Sequence, residues 1–468
     1  MIKFKRQKDL TQGPLLPQII MFSLPLIATS ILQLLFNTAD TIVVGRWGGD
    51  TPEECEVALA AVGSCGSLIT LFVNLFLGLS VGAGIVVAHD IGAKRENEVQ
   101  KTVHTSVITA LAAGALVTVL GFLTTNWALR LMGTDESVLP EATKYIYAYF
   151  CGMPANMLYN YCASILRSKG DTVRPLIFLS IAGVANVIMN LVAVLVFDWG
   201  AMGVGAATAV SQWVSCILIV VYMMHMEGPC RIELSKLRLD LAKFKRILFV
   251  GLPAGLQSML FSISNILIQS SVNSFGPTIV AANTTASNLN NYIYASQNSL
   301  YHTALTFVAQ NAGAKNYNRM KQSALGCVLV VIVVGLGIGT LMHLFSDALL
   351  GIFSPDNPEV IMYAQVRHVL FCFTYFLCGI MEVGTGMLRG LGKSFVPMII
   401  SLIGSCVLRI VWIYTVFAWL PVESTVENTM FRMNMLYVSY PITWIITSVA
   451  LYIMAFFEFR KFKREHNL

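Results

Sequence analysis

The sequence predicts an all-α membrane protein of twelve transmembrane helices, arranged as two six-helix lobes related by a pseudo-two-fold axis along the membrane normal. Hydrophobic residues make up 56% of the 468 and charged residues only 12%, against about 25% charged in an ordinary soluble domain. Apolar stretches of about 20 residues or more recur along the whole length, each long enough to cross a hydrocarbon layer as a helix. Short motifs in the first half return, in order, in the second.

The apolar stretches lie near 18 to 45, 57 to 88, 102 to 126, 143 to 166, 175 to 197, 201 to 225, 247 to 275, 279 to 309, 323 to 346, 360 to 388, 396 to 420 and 432 to 457. The first follows Lys3, Lys5, Arg6 and Lys8, but it is too long for a cleaved leader and no small-residue cleavage site follows, so it reads as the first membrane helix. Most of the 31 Lys and Arg residues fall in the two tails and in the loops after helices 2, 4, 6, 8 and 10. The positive-inside rule assigns those regions to the cytoplasm. The opposite loops carry Asp50, Glu53, Glu54, Glu56, Asp135, Glu136, Glu141, Asp356, Glu359, Glu423 and Glu427. The expectation is a multi-pass protein of the cell inner membrane with both termini cytoplasmic. A net charge of +6 dispersed over short connections argues against nucleic acid as a partner. With eight of the ten cysteines inside expected spans, no disulfide framework is expected.

Three pairs of segments mark a duplication. Phe22-Ser23-Leu24-Pro25 matches Val250-Gly251-Leu252-Pro253; Val87 to Lys94 after helix 2 matches Val308 to Lys315 after helix 8; Leu166 to Thr172 with Pro175 matches Leu388 to Ser394 with Pro397. The expected organisation is an N-terminal six-helix lobe over 1–226, a basic cytoplasmic linker over 227–246 and a C-terminal six-helix lobe over 247–468. Each half holds an even number of helices, so both share one orientation.

A carboxylate at the centre of a membrane helix costs roughly 2.5 to 3.5 kcal/mol even on mild insertion scales, and so marks function by default. Asp40 and Glu382 are the two deep carboxylates. Gln33, Asn37 and Asp40 follow i, i+4, i+7 spacing and share a stripe of helix 1. Asn186 and Asn190, one turn apart on helix 5, and Thr208 on helix 6 supply oxygens for a nest around Asp40. Such a nest can bind Na⁺ when the acid is ionised or hold a proton when it is not. Two structural readings compete: amides and hydroxyls that simply hold helices together, and a salt bridge from Arg46. Glu382 reads either as a second protonation site or as a residue hydrated near the cytoplasm.

Helix 7 carries Ser258, Ser262, Asn265 and Gln269 on one stripe, and helix 8 carries Asn283, Ser287, Asn290, Tyr294, Gln297 and Tyr301 on another, with Asn291, Asn298 and His302 beside it. These polar stripes predict a water-filled vestibule for neutral or cationic solutes, with inter-helix packing as the structural alternative. The candidate substrate contacts are Gln33, Asn265, Gln269, Asn290, Tyr294, Gln297 and Tyr301. Gly78 with Gly82 and Gly335 with Gly339 read as close helix contacts. No Walker loop, metal-ligand cluster or nucleophile triad is present in the sequence, so neither an enzyme nor a primary pump is expected.

In this order, Pro25, the Asp40-Thr41 to Val44-Gly45-Arg46 stretch, the Gly92-Ala93-Lys94 loop, and the Arg167 to Pro175 motif with its repeat at Arg389 to Pro397 resemble the multidrug and toxic compound extrusion (MATE) family. The resemblance covers nearly the whole chain. It implies a multidrug efflux antiporter, a secondary active transporter exporting organic, often cationic compounds by alternating access in exchange for H⁺ or Na⁺. It implies a cation site at Asp40, Asn186, Asn190 and Thr208, and a helix 1 that bends at Pro25 as Asp40 changes charge. Asn190 stands where some relatives carry a second acid, and Asn265 where another branch places a glutamate. Those departures look closer to the DinF-like branch and weaken the case for Na⁺ relative to H⁺. No cofactor is expected beyond the coupling ion; the expected partners are drug-like small molecules and membrane lipids, and the expected state is a monomer. A lipid or lipid-linked precursor flippase is the alternative within the same superfamily, and a channel or sensor the alternative outside it.

Overall fold

Apolar runs with few internal breakers form long helices, because in lipid every backbone polar group must find its partner within the chain. The computed structural model describes residues 9–49, 51–353, 357–420 and 425–467. The expected topological charges at Lys3, Lys5, Arg6, Lys8, Asp50, Asp356 and Glu423 lie outside the described residues. In chain order the helices are α1 (Leu15–Trp47), α2 (Pro52–Gly92), α3 (Glu96–Leu131), α4 (Leu139–Phe150), α5 (Met153–Ser168), α6 (Val173–Leu195), α7 (Gly200–His225), α8 (Leu241–Asn273), α9 (Pro277–Gly313), α10 (Tyr317–Leu344), α11 (Ser346–Phe353), α12 (Pro358–Gly390), α13 (Phe395–Ser401), α14 (Leu408–Trp412) and α15 (Val426–Glu465).

Among the described residues ten segments are long and apolar enough to cross a membrane. Two expected spans fall short of that measure for identifiable reasons. The fourth is divided into α4 and α5 at Cys151–Gly152, ahead of Pro154, and α9, although 37 residues long, carries too many amides and hydroxyls. The eleventh span, Phe395–Phe417, is continuous but distorted: π-helical turns at Leu402–Val407 and Ile413–Phe417 flank α14. Several large apolar side chains stay exposed, among them Leu123 at 76%, Ile266 at 63% and Trp419 at 87%. Lipid, rather than water, is the solvent such surfaces fit.

The described chain divides into two compact units, one built from Ala28–Gly255 and the other from Asp9–Ile27 with Leu256–Leu468. The division falls two residues after Pro25 in α1 and two residues after Pro253 in α8. The opening segment of α1 therefore belongs to the second unit, and that of α8 to the first.

The repeated motifs adopt one backbone geometry in both units. The turn after α2 places Lys94 at φ 53° and the turn after α9 places Lys315 at φ 55°, a left-handed conformation uncommon outside glycine. Arg95 N donates to Asp90 O at 3.0 Å, and Asn316 N to Asn311 O at 2.9 Å. Gly170 and Gly392 take φ 92° and 79° at the ends of α5 and α12, where Asp171 N reaches Leu166 O and Lys393 N reaches Leu388 O. These are the left-handed C-caps that close orphaned helix carbonyls.

Each unit also anchors its incoming helix by the same motif with different chemistry. In the first, Asp90, fully buried, accepts from Lys243 Nζ of α8 at 2.7 Å, and the same ammonium meets Glu98 at 2.9 Å. In the second, the matching Asn311 donates to Phe307 O at 2.8 Å and Leu10 O at 3.4 Å, while Arg319 spreads its guanidinium over the carbonyls of Leu10, Gln12 and Gly13. Gly78 and Gly82 of α2 lie directly against Gly251 and Gly255 of α8, so closely that a Cβ on either helix would strike the other's backbone. Gly335 and Gly339 of α10 meet α12 in the same manner at Phe376 and Cys372.

Candidate functional site

In the first unit, α1, α6 and α7 bring Asp40, Asn186, Asn190 and Thr208 together. The Asn190 amide donates to Asp40 Oδ1 and, at 3.4 Å, to Asn186 Oδ1. Asn186 Nδ2 donates to Thr208 Oγ1 at 3.3 Å, and Thr208 also hydrogen-bonds the Asp40 side chain. The one-turn spacing of Asn186 and Asn190 aims both amides at the same point, and both are buried, Asn190 completely. Asn190 Oδ1 is left without a hydrogen-bond donor, which a buried amide oxygen seldom is. Arg46, the expected competitor for Asp40, forms no ion pair within 4 Å among the described residues. Gln33 and Asn37 sit on exposed turns of α1 rather than in the buried cluster.

The second unit divides the polar surface of α9 in two. Asn283, Asn290, Gln297 and Tyr301 are buried and tie helices together. Asn283 accepts from Arg367 and from Tyr437 OH and donates to Gln269 of α8 at 3.1 Å. Asn290 pairs with His368 at 2.9 Å, and Gln297 is wedged against Gly335 and Gly379. Tyr301 accepts from Arg389 at 2.7 Å. Tyr294 is exposed, next to exposed Asn291 and half-buried Asn298 and His302. Of the expected substrate contacts, Tyr294 and Asn265 are exposed, Gln269 is half-buried, and Asn290, Gln297 and Tyr301 are interior. Glu382 is 7% exposed, lying among Tyr294, Cys378 and Arg389, so it is not a hydrated end residue.

With two polar clusters in a duplicated helical membrane chain, the decisive observation is a family match. The MatE model fits residues 25–192 and 253–415, beginning at Pro25 and at Pro253. The chain belongs to the MatE family. It is a multi-pass membrane transporter of the all-helical two-lobe fold seen in that family. A Bacillus subtilis relative named "Probable multidrug resistance protein YoeA" is 27% identical over 389 residues, 82% of each chain. A Thermotoga maritima relative named "Probable multidrug resistance protein NorM" is 23% identical and again covers 82% of each. The solved outward-facing structure of a multidrug resistance MATE family transporter of the MOP superfamily superposes with a TM-score of 0.88 at 20% identity, covering 99% of this chain and 100% of that one.

Within this MatE chain the sequence reading passed over two features. One is the Asp90–Lys243–Glu98 cluster, whose partners come from distant segments. The other is Arg409 on α14, a single cation inside the apolar run Phe395–Phe417 and 5% exposed. Its signal was present in the sequence, since a charge inside a membrane span is exceptional whichever its sign.

Proposed function

We propose that the chain is a multidrug efflux antiporter that exports organic, often cationic and amphiphilic, compounds by alternating access in exchange for H⁺ or Na⁺, with Asp40 as the coupling group. The observation that carries this reading is the nest around Asp40, in which the carboxylate meets the Asn190 amide and the Thr208 hydroxyl, Asn186 bonds both of those partners, and Asn190 Oδ1 has no donor. The same four side chains suit either ion. A carboxylate with neutral oxygens is the hard donor set a small cation needs, and an acid held by donors can take and release a proton. Relatives named as multidrug resistance proteins support the export of drug-like compounds. An antiporter needs each ligand to favour release of the other, and a group that alternates between charged and neutral supplies that differential affinity.

The test is uptake of a panel of cationic dyes into inverted vesicles under an imposed H⁺ or Na⁺ gradient. Uptake driven by one of the two gradients is expected; uptake that ignores both sinks the antiport reading.

The distribution of basic loops supports a topology with both termini in the cytoplasm. In a background lacking exposed Cys151, a cysteine at position 54 should react with an impermeant maleimide from outside, and cysteines at 94, 171 and 236 only from inside. Ready labelling of position 171 from outside would invert this topology.

The two faces of α9 should separate in their effects. Asn291→Ala and Tyr294→Ala are expected to change which compounds are exported at unchanged thermal stability. Asn290→Ala strips His368 Nδ1 of its partner, and Gln297→Ala opens a hole between α10 and α12, so each should cost about 1–3 kcal/mol and lower the melting temperature in detergent. A Gln297→Ala protein that melts normally while its substrate profile shifts would return the buried stripe to the substrate path.

A further inference from the structure

Arg409 lies 14 residues from the start of the Phe395–Phe417 span and eight from its end, so roughly 12–21 Å of helix separates it from either end. That is near the middle of the segment, where a charge is most costly. Among the described residues no carboxylate lies within 4 Å of it. Its guanidinium makes one hydrogen bond, from Nη2 to Thr443 Oγ1 at 3.1 Å, and lies 3.8 Å above the ring of Tyr440. Nε is buried with no acceptor. A guanidinium offers five donors in a planar fork, so most of its capacity is unused.

The surroundings favour one kind of ligand. Tyr440 meets Trp444 at 5.8 Å, and Trp444 stacks on Tyr375 at 5.3 Å, forming an aromatic wall beside the charge. Arg367, which donates to Asn283 and among the described residues has no carboxylate within 4 Å, lies within electrostatic range of the same Tyr375 as Arg409 does. The backbone is distorted on both sides of Arg409 by π-helical turns, a feature that recurs at functional sites. Arg367 stands 5.0 Å over the Phe371 ring, and Phe371 meets Tyr440 and Trp444 at 5.1 and 5.8 Å, so two guanidiniums border one aromatic cluster, with Glu382 the nearby carboxylate that, like Arg409, lies within electrostatic range of Cys378.

We propose that Arg409, with the wall formed by Tyr375, Tyr440 and Trp444, is a binding site for the anionic group of an aromatic amphiphile, a carboxylate or sulfonate. The fork of Arg409 takes the oxygens in a charge-assisted pair, and the rings take the apolar body. This rests on the reading of the chain as an exporter of amphiphilic compounds and extends its substrates to anions and zwitterions.

The test uses the full protein in phosphatidylcholine nanodiscs, titrated calorimetrically with 2-naphthalenesulfonate, 2-naphthalenemethanol and 2-naphthylmethylammonium. The sulfonate is expected to bind about tenfold more tightly than the neutral probe and to keep its affinity when the cationic probe is added. Arg409→Gln should abolish that preference, and Arg409→Lys should keep part of it. Equal or tighter binding of the neutral probe by the unsubstituted protein overturns the proposal without depending on any variant. So does an unchanged sulfonate affinity in Arg409→Gln. Adding phosphatidylglycerol to the bilayer separates a soluble anion from a lipid phosphate: unchanged affinity is expected, and a tenfold loss would assign the site to lipid and overturn the soluble source. The titration needs no ion gradient, so a protein that binds the sulfonate yet exports nothing contradicts the antiport reading alone.

Discussion

Asp40→Asn is expected to reduce gradient-driven export about 100-fold, the upper range of a coupling free energy between two ligands, while the protein remains inserted and folded. The substitution keeps the shape of the side chain and a hydrogen-bonding partner for Asn190 and Thr208, so stability should hold. What it removes is the change of charge. Asp40→Glu lengthens the side chain inside a nest closed by buried Asn190 and should retain a fraction of transport. Glu382→Gln should do less than Asp40→Asn, because Arg389, whose charge acts on Glu382, is already engaged by Tyr301 and Gln257. Initial rates of dye export from reconstituted vesicles, normalised to protein content, check all three.

The second large effect is on stability. Lys243→Met leaves Asp90 fully buried beside a thioether, and breaking a buried pair from one side costs about 3–5 kcal/mol. The protein should accumulate poorly and melt well below the unsubstituted chain in detergent. Arg246, 3.8 Å from Asp90 on the half-exposed rim, is too loosely placed to replace the ammonium. Combining Lys243→Met with Asp90→Asn should recover most of the loss, because the second unit holds the same turn with a neutral Asn311 at the matching position, bonded to backbone carbonyls. A double variant as unstable as Lys243→Met would show that the ammonium is needed for something besides neutralising Asp90.

The Asp40 nest was legible because each member breaks an otherwise apolar run and Asn186 and Asn190 stand one turn apart on α6, whereas the i, i+4, i+7 spacing on α1 grouped Asp40 with Gln33 and Asn37, which are exposed and outside the nest. Residues that must share a buried stripe announce themselves by period. The duplication was legible for a related reason, since Gly170 and Gly392 are required by their positive φ and survive in both copies. The division of α9 was not legible. At ~100° per residue Asn290, Asn291, Tyr294, Gln297 and Asn298 fall within about 120° of arc, one continuous polar face, so periodicity cannot say which edge of it meets α10 and α12. The Asp90–Lys243 pair spans 153 positions and belongs to tertiary structure. Arg409 differs from both: its place in an apolar run was plain, but a reading centred on acids gave buried cations no weight.

The most direct test of ion-coupled export through Asp40 is the reverse experiment: impose an outward gradient of a transported dye in proteoliposomes and record internal pH and internal Na⁺. One of the two ions is expected to move against the dye in the unsubstituted protein and in Glu382→Gln, and to stay still in Asp40→Asn. Dye-driven ion movement that persists in Asp40→Asn, or that disappears only in Glu382→Gln, would contradict the account.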